Sequence, residues 1–144
     1  MRDLLLAVQS RLQSQLPANV RALDIFFTEN EDWVPKTVKY PAIGIKDGGI
    51  DFDWETSKKY KQILSVRLIV WVSIKKLQES LIGANGVLVL TGNVINALVN
   101  QKLGIPGVYR AFPTSIGESE TFGQESDMVQ KQITIFEYRQ ECTL

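Results

Sequence analysis

The chain has no histidine and one cysteine, Cys142, among 144 residues. Histidine is the commonest general base and transition-metal ligand, so Ser-His-Asp, Cys-His and His-bearing zinc sites are excluded. A lone thiol excludes disulfide frameworks and CxxC sites and suits a reducing compartment. No charge of one sign dominates: sixteen Lys+Arg stand against sixteen Asp+Glu. A polybasic nucleic-acid or membrane-surface protein needs a basic excess that this chain lacks. No apolar run approaches the roughly 18 residues of a membrane span, and Met1-Arg2-Asp3-Leu4-Leu5-Leu6 is too short for a signal peptide. These absences lead us to expect a cytoplasmic, non-membrane, non-enzymatic protein without metal or cofactor. What is present, 44% hydrophobic and 22% charged residues, is the balance of a globular domain, and the length suits one domain, 1–144.

Leu4, Leu5, Val8, Leu12 and Leu16 recur at helical spacing, which predicts a helix over 3–16 ended by Pro17. Val20 to Phe27 reads as a strand, 28–36 as an acidic loop, and Tyr40-Pro41-Ala42-Ile43-Gly44-Ile45 as a short strand closed by a turn at Asp47-Gly48-Gly49. In 62–74, Leu64, Val66, Leu68, Val70, Val72 and Ile74 alternate with Ser65, Arg67, Ile69, Trp71 and Ser73, which predicts a strand with one core face and one half-polar face. Residues 50–61 should pair antiparallel nearby. A second helix is expected over 86–101, with Leu88, Thr91, Ile95, Leu98 and Val99 on one stripe that Val87, Leu90 and Val94 widen. Two last strands, 107–117 and 128–140, flank an acidic connection over 118–127. The order implies an α+β fold: an antiparallel or mixed sheet of four to five strands with two helices on one face.

Chemical motifs are weak. Ser73-Ile74-Lys75-Lys76 has the S-x-x-K spacing, but the serine ends a strand instead of opening a helix, and no S-D-N or K-T-G follows. Asp47, Asp51, Asp53 and Glu55 lack the calcium-loop spacing. Glu118 and Glu120 form a carboxylate pair without a scaffold to separate their pKa values. Gly83-Ala84-Asn85-Gly86 is no phosphate cradle. Cys142 lies in a tail expected to fray. The remaining signal is an interface. Tryptophan and arginine on half-polar faces are interface composition. We therefore expect Arg67, Ile69, Trp71, Trp54, Lys58 and Lys59 to meet a second copy, and Glu118, Glu120, Glu125 and Asp127 to form a mobile acidic loop.

The aromatic-Pro-Ala-aliphatic strand at Tyr40–Ile45, the Gly48-Gly49 pair, the aliphatic strand ending at Trp71-Val72-Ser73, the helix Val87 to Leu103 and the closing Ile133-Thr134-Ile135-Phe136-Glu137-Tyr138 resemble small tail proteins of Mu-like phages and prophages. More loosely, they resemble the tail-terminator (tail-completion) proteins of long-tailed phages. The resemblance implies a mixed α+β domain, a homo-oligomeric ring, typically hexameric, that caps the tail tube, and partners in the tube and the head–tail connector. It brings no catalytic residue and no sequence-specific nucleic-acid contact. It also implies that the protein passes from the host cytoplasm into the virion tail. A ring needs two different complementary surfaces on each copy, which acidic segments at 29–32 and 118–127 and basic ones at 58–61 and 75–76 would supply. The alternative is a small bacterial binding or adaptor module with 118–127 as its contact, since fold alone does not fix function.

Overall fold

The computed structural model describes residues 1–16, 20–124 and 127–144; the helix stop expected at Pro17 lies outside them. Helix α1 spans Arg2–Gln15 and buries Leu4, Val8 and Leu12, one residue per turn along a single stripe. Strand β1 is only Ile25–Phe27, because a 3-10 turn, Ala22–Asp24, occupies the first half of the segment expected to be extended. Strands β2 (Ala42–Trp54) and β3 (Lys59–Ser73) form a long hairpin. A six-residue helix α2 (Leu77–Ile82) and helix α3 (Val87–Leu98) follow. Strands β4 (Val108–Ile116), β5 (Glu120–Phe122) and β6 (Val129–Thr143) close the chain.

The α+β expectation holds, with more strands than foreseen. Six strands make one mixed sheet in the order β1-β2-β3-β6-β4, with β5 also on β6. Only β1 and β2 run parallel. Strand β5 was expected to be loop. It exists because the connection after β4 folds back along the start of β6, placing Glu120 opposite Lys131 and Phe122 opposite Val129.

The segment Asp47-Gly48-Gly49 is not a turn. The register steps from Asp47 opposite Val66 to Ile50 opposite Leu64, so β2 carries one extra residue, a β-bulge. Gly49 takes φ +92°, and its N–H is capped by the Asp47 carboxylate at 2.7 Å. The bulge switches parity. Ile43 and Ile45 face the helices before it, and Ile50, Phe52 and Trp54 face the same side after it, opposite Leu64, Gln62 and Tyr60.

The main core lies between that face and the helices: Ile25, Ile43, Ile45, Leu64, Val66, Leu68, Val70, Phe136 and Tyr138 pack against α1 and α3. On α3 the buried stripe is Val87, Leu90, Thr91, Val94, Ala97 and Leu98. Leu88, expected on it, is 42% exposed, because the helix starts at Val87 and its phase follows the 87-90-94-98 row. The stretch Leu77–Leu98 is long and apolar enough by composition for a membrane span, which the sequence reading missed. It breaks at Gly83–Gly86 into helices of 6 and 12 residues, each short of the roughly 20 residues a span takes.

The opposite face is also dry at one end. Ala42, Ile69, Trp71 and Val129 are buried there beneath Val34, Val38 and Tyr40 of the β1–β2 connection. Gly44 makes this possible: a Cβ on it would lie 2.7 Å from the Trp71 ring and 2.9 Å from Thr28 Cγ2. Gly44→Ala should therefore cost about 1–3 kcal/mol through overpacking, read as a lowered urea midpoint with unchanged slope; an unshifted midpoint would mean the ring has room to give.

Candidate functional site

Two surfaces were candidates from the sequence, and the structure treats them differently. Arg67, Ile69 and Trp71 do share a face, as alternation requires, but Ile69 and Trp71 are 0% exposed within the single chain. This corrects their expected contact with a second copy. The reason is that residues 28–41 fold across that face and supply the cover a partner was expected to give. Arg67 is half-buried, and its guanidinium grips Glu31 with two bonds, Nε at 2.6 Å and Nη2 at 2.9 Å. Lys46 Nζ donates to the same carboxylate at 2.8 Å. These cations, Arg67 first, hold the Glu31 carboxyl down to about 2 against the opposing effect of burial.

Lys131 completes this cluster. It is 1% exposed, and its ammonium donates to the Glu31 carbonyl at 2.8 Å and lies 3.2 Å from Glu120 and 3.4 Å from Asp32. It sits 4.4 Å from the centre of the Phe122 ring. The acidic segment 29–32, expected to dock on a neighbour, thus has Glu31 and Asp32 engaged inside its own chain. Its sequence signal was Lys131 and Arg67 on the inner strands β6 and β3, where an unpaired cation is not tolerated.

The acidic connection is also partly spent. Glu120 stands in β5 on Lys131, and Asp127 pairs with Lys36 at 2.6 Å. Glu118 is exposed beside an open cleft of about 410 Å³ with Arg67, Lys131, Ile133 and Ile135. Glu125 lies outside the described residues. Cys142 is not frayed: it is half-buried in β6 opposite Tyr60. Among the described residues no group of three His, Cys, Asp or Glu side chains converges. Ser73 ends β3 and Lys76 precedes α2, so the serine lacks the helical setting that S-x-x-K chemistry uses.

Trp54, Lys58 and Lys59 remain exposed, at the tip of the hairpin. Here β2 and β3, with β6 still paired along β3 as far as Thr143 opposite Lys59, form an arm whose helix-side face lies outside the main core. Its helix-side face carries Ile50, Phe52 and Trp54, which are 38%, 56% and 54% exposed. Tyr60 packs on Trp54, ring centres 4.4 Å apart. The outer edge of β2 is open beyond Ile45, since β1 covers only Ile43–Ile45. Asp51 and Asp53 lie along it, exposed and without an ion-pair partner among the described residues. At the other end of the same two strands, Arg21, Lys39, Tyr40, Ser73, Lys75, Lys76 and Glu79 line a cleft of about 490 Å³. Arg21 is held by Asp24 at 2.6 Å, whereas Lys39, Lys75 and Lys76 have no ion-pair partner among the described residues. Leu77 and Ile82 stand exposed on the adjoining helix α2. The two ends of the hairpin therefore differ, apolar and acidic at one and basic at the other.

No family model matches the chain, and no curated protein matches it. Among solved structures, a chain of the virion of a native gene transfer agent particle is similar in fold, with a TM-score of 0.54 over 96% of this chain and 94% of that one, at 16% sequence identity.

Proposed function

We propose that the chain is a structural subunit of a phage or phage-like tail, acting as a tail-terminator-type ring that ends or connects the tail tube. The observation that carries this is the fold shared along 96% of the chain with a virion component. The two unlike ends support it, because a contact between different patches on identical copies is heterologous and closes into a ring when the rotation allows. The charge cluster supports a scaffold role, because Arg67, Lys46 and Lys131 all bond to Glu31 and so hold residues 28–41 to the sheet. In the assembled particle the ring's partners are the tail tube below and the head–tail connector above. The test is a prophage or phage-like element deleted for this gene. Electron micrographs of the lysate should show tails of uncontrolled length or tails unjoined to heads, and complementation should restore them; tails of normal length joined to heads would overturn the role.

A further inference from the structure

We infer that copies of this chain join arm to cleft: the edge of β2 at Ile50–Trp54 on one copy seats against the basic cleft at the β3–α2 corner of the next. This rests on the ring reading and names the surfaces that would make it.

Each half is incomplete alone. The arm presents three exposed apolar side chains, Ile50, Phe52 and Trp54, on the face that α1 and α3 cover elsewhere in the sheet. Among the described residues no strand pairs with its edge beyond Ile45, and an open edge strand is a template for association. Asp51 and Asp53 set the sign of that edge. The cleft holds Lys39, Lys75 and Lys76, none in an ion pair among the described residues although Lys39 lies close enough to Asp24 to help lower its pKa, against one lining carboxylate, Glu79, with Leu77 and Ile82 alongside. A cleft wrapping the β2 edge would therefore meet aromatic side chains on its helix side and the carboxylates of Asp51 and Asp53 on the other, and offers ammoniums and aliphatic side chains to both. The arm also carries cations. Lys61 stands opposite Asp53 in the register but is tied to Glu55 at 3.0 Å, and Lys58 and Lys59 lie at the turn and the start of β3.

Other pairings of the same edge are worse. Two β2 edges would bring Asp51 and Asp53 against their own kind, which is destabilising. The far edge, β4, is blunted by Pro113, by irregularities at Val108/Arg110 and Pro113/Ser115, and by the Asn100 N–H already bonded to the Ala111 carbonyl at 2.9 Å.

Charge reversal by mixing tests the contact. One variant carries Asp51→Lys and Asp53→Lys, the other Lys75→Glu and Lys76→Glu, and each is checked by circular dichroism for retained fold. Sedimentation should show each variant alone associating roughly tenfold or more weakly than wild type. An equimolar mixture should recover association, because every arm then meets a cleft of opposite sign. Phe52→Ser with Trp54→Ser should weaken wild-type association without rescue by mixing. Oligomers that ignore all these changes would overturn the arm-to-cleft contact and leave the ring standing. A wild-type chain that stays monomeric alone and on tail tubes would remove the ring and this contact with it. Loss of duplex-oligonucleotide binding by the Lys75/Lys76 variant, with self-association intact, would assign the cleft to DNA instead.

Discussion

Trp71→Ala should unfold the monomer before it affects any assembly. The indole is 0% exposed, lies 5.8 Å from the Phe26 ring at an interplanar angle of 3°, and rests on the bare backbone of Gly44. Truncating a buried tryptophan removes its transfer free energy and leaves a cavity, together about 3–5 kcal/mol. That is a large share of the 5–15 kcal/mol typical of a domain, so the variant should have a sharply lower urea midpoint or be insoluble. Trp71→Phe is the informative control. The Trp71 indole N–H is buried without an acceptor among the described residues, so a phenyl ring gives up packing volume but also removes an unpaired donor. Its cost should stay under about 1.5 kcal/mol. A Trp71→Ala protein as stable as wild type, but unable to assemble, would return this side chain to an intermolecular role.

That residue also shows where sequence reading stops. The alternation from Leu64 to Val72 fixed which side chains share a face, and the strand followed it at each position. It carried no information on what covers the second face. The cover is Thr28–Pro41, acidic in its first half, and it is held by the packing of Val34, Val38 and Tyr40 together with Glu31, which reaches Arg67 across 36 positions of sequence. Pairings of that separation leave no periodic trace. The β-bulge was different, since its signal was present. Apolar positions change from odd (Ile43, Ile45) to even (Ile50, Phe52, Trp54) across Gly48-Gly49, and one extra residue in a continuous strand does this while a tight hairpin turn would send the chain back. A Cβ on Gly48 would lie 2.8 Å from the Ser65 carbonyl, so backbone approach also called for glycine there.

Of the candidate site, the sequence showed Trp54, Lys58, Lys59, Lys75 and Lys76 as exposed interface material, and the structure leaves these residues exposed. It did not show that they lie at opposite ends of the β2–β3 hairpin. Only the register does, with Trp54 opposite Tyr60 at one end and Ala42 opposite Trp71 at the other. Lys39 joins the second end because the chain between β1 and β2 returns to the start of β2 beside α2, and Arg21 joins it from the turn that precedes β1. Separation of unlike surfaces along a strand axis is a property of pairing, so no single segment displays it.

Acid should loosen the loop that covers Trp71, and Glu31→Gln should abolish that response. The Glu31 carboxyl sits at about 2 in the folded chain, against an ordinary value of 4.5. A lowered folded-state pKa means the group's stabilisation is complete above 4.5 and is lost as pH falls from there toward about 2. A shift of that size corresponds to at most about 3 kcal/mol. Arg67 and Lys46 are each 31% exposed, so solvent screening brings the expected contribution to roughly 2 kcal/mol. In urea titrations at stepped pH, wild type should lose about that much between pH 4.5 and 2 beyond the loss in Glu31→Gln. Asp24, whose pKa is lowered by Arg21, loses its share equally in both proteins and cancels in the difference. At neutral pH the variant should already be weaker by about 2 kcal/mol, because the half-buried Arg67 and Lys46 lose their counter-charge. Parallel pH profiles would show that the Glu31 carboxylate does not hold the loop. If the profiles diverge, Trp71 emission should shift to the red over the same interval, since the ring gains water only when residues 28–41 lift from the sheet.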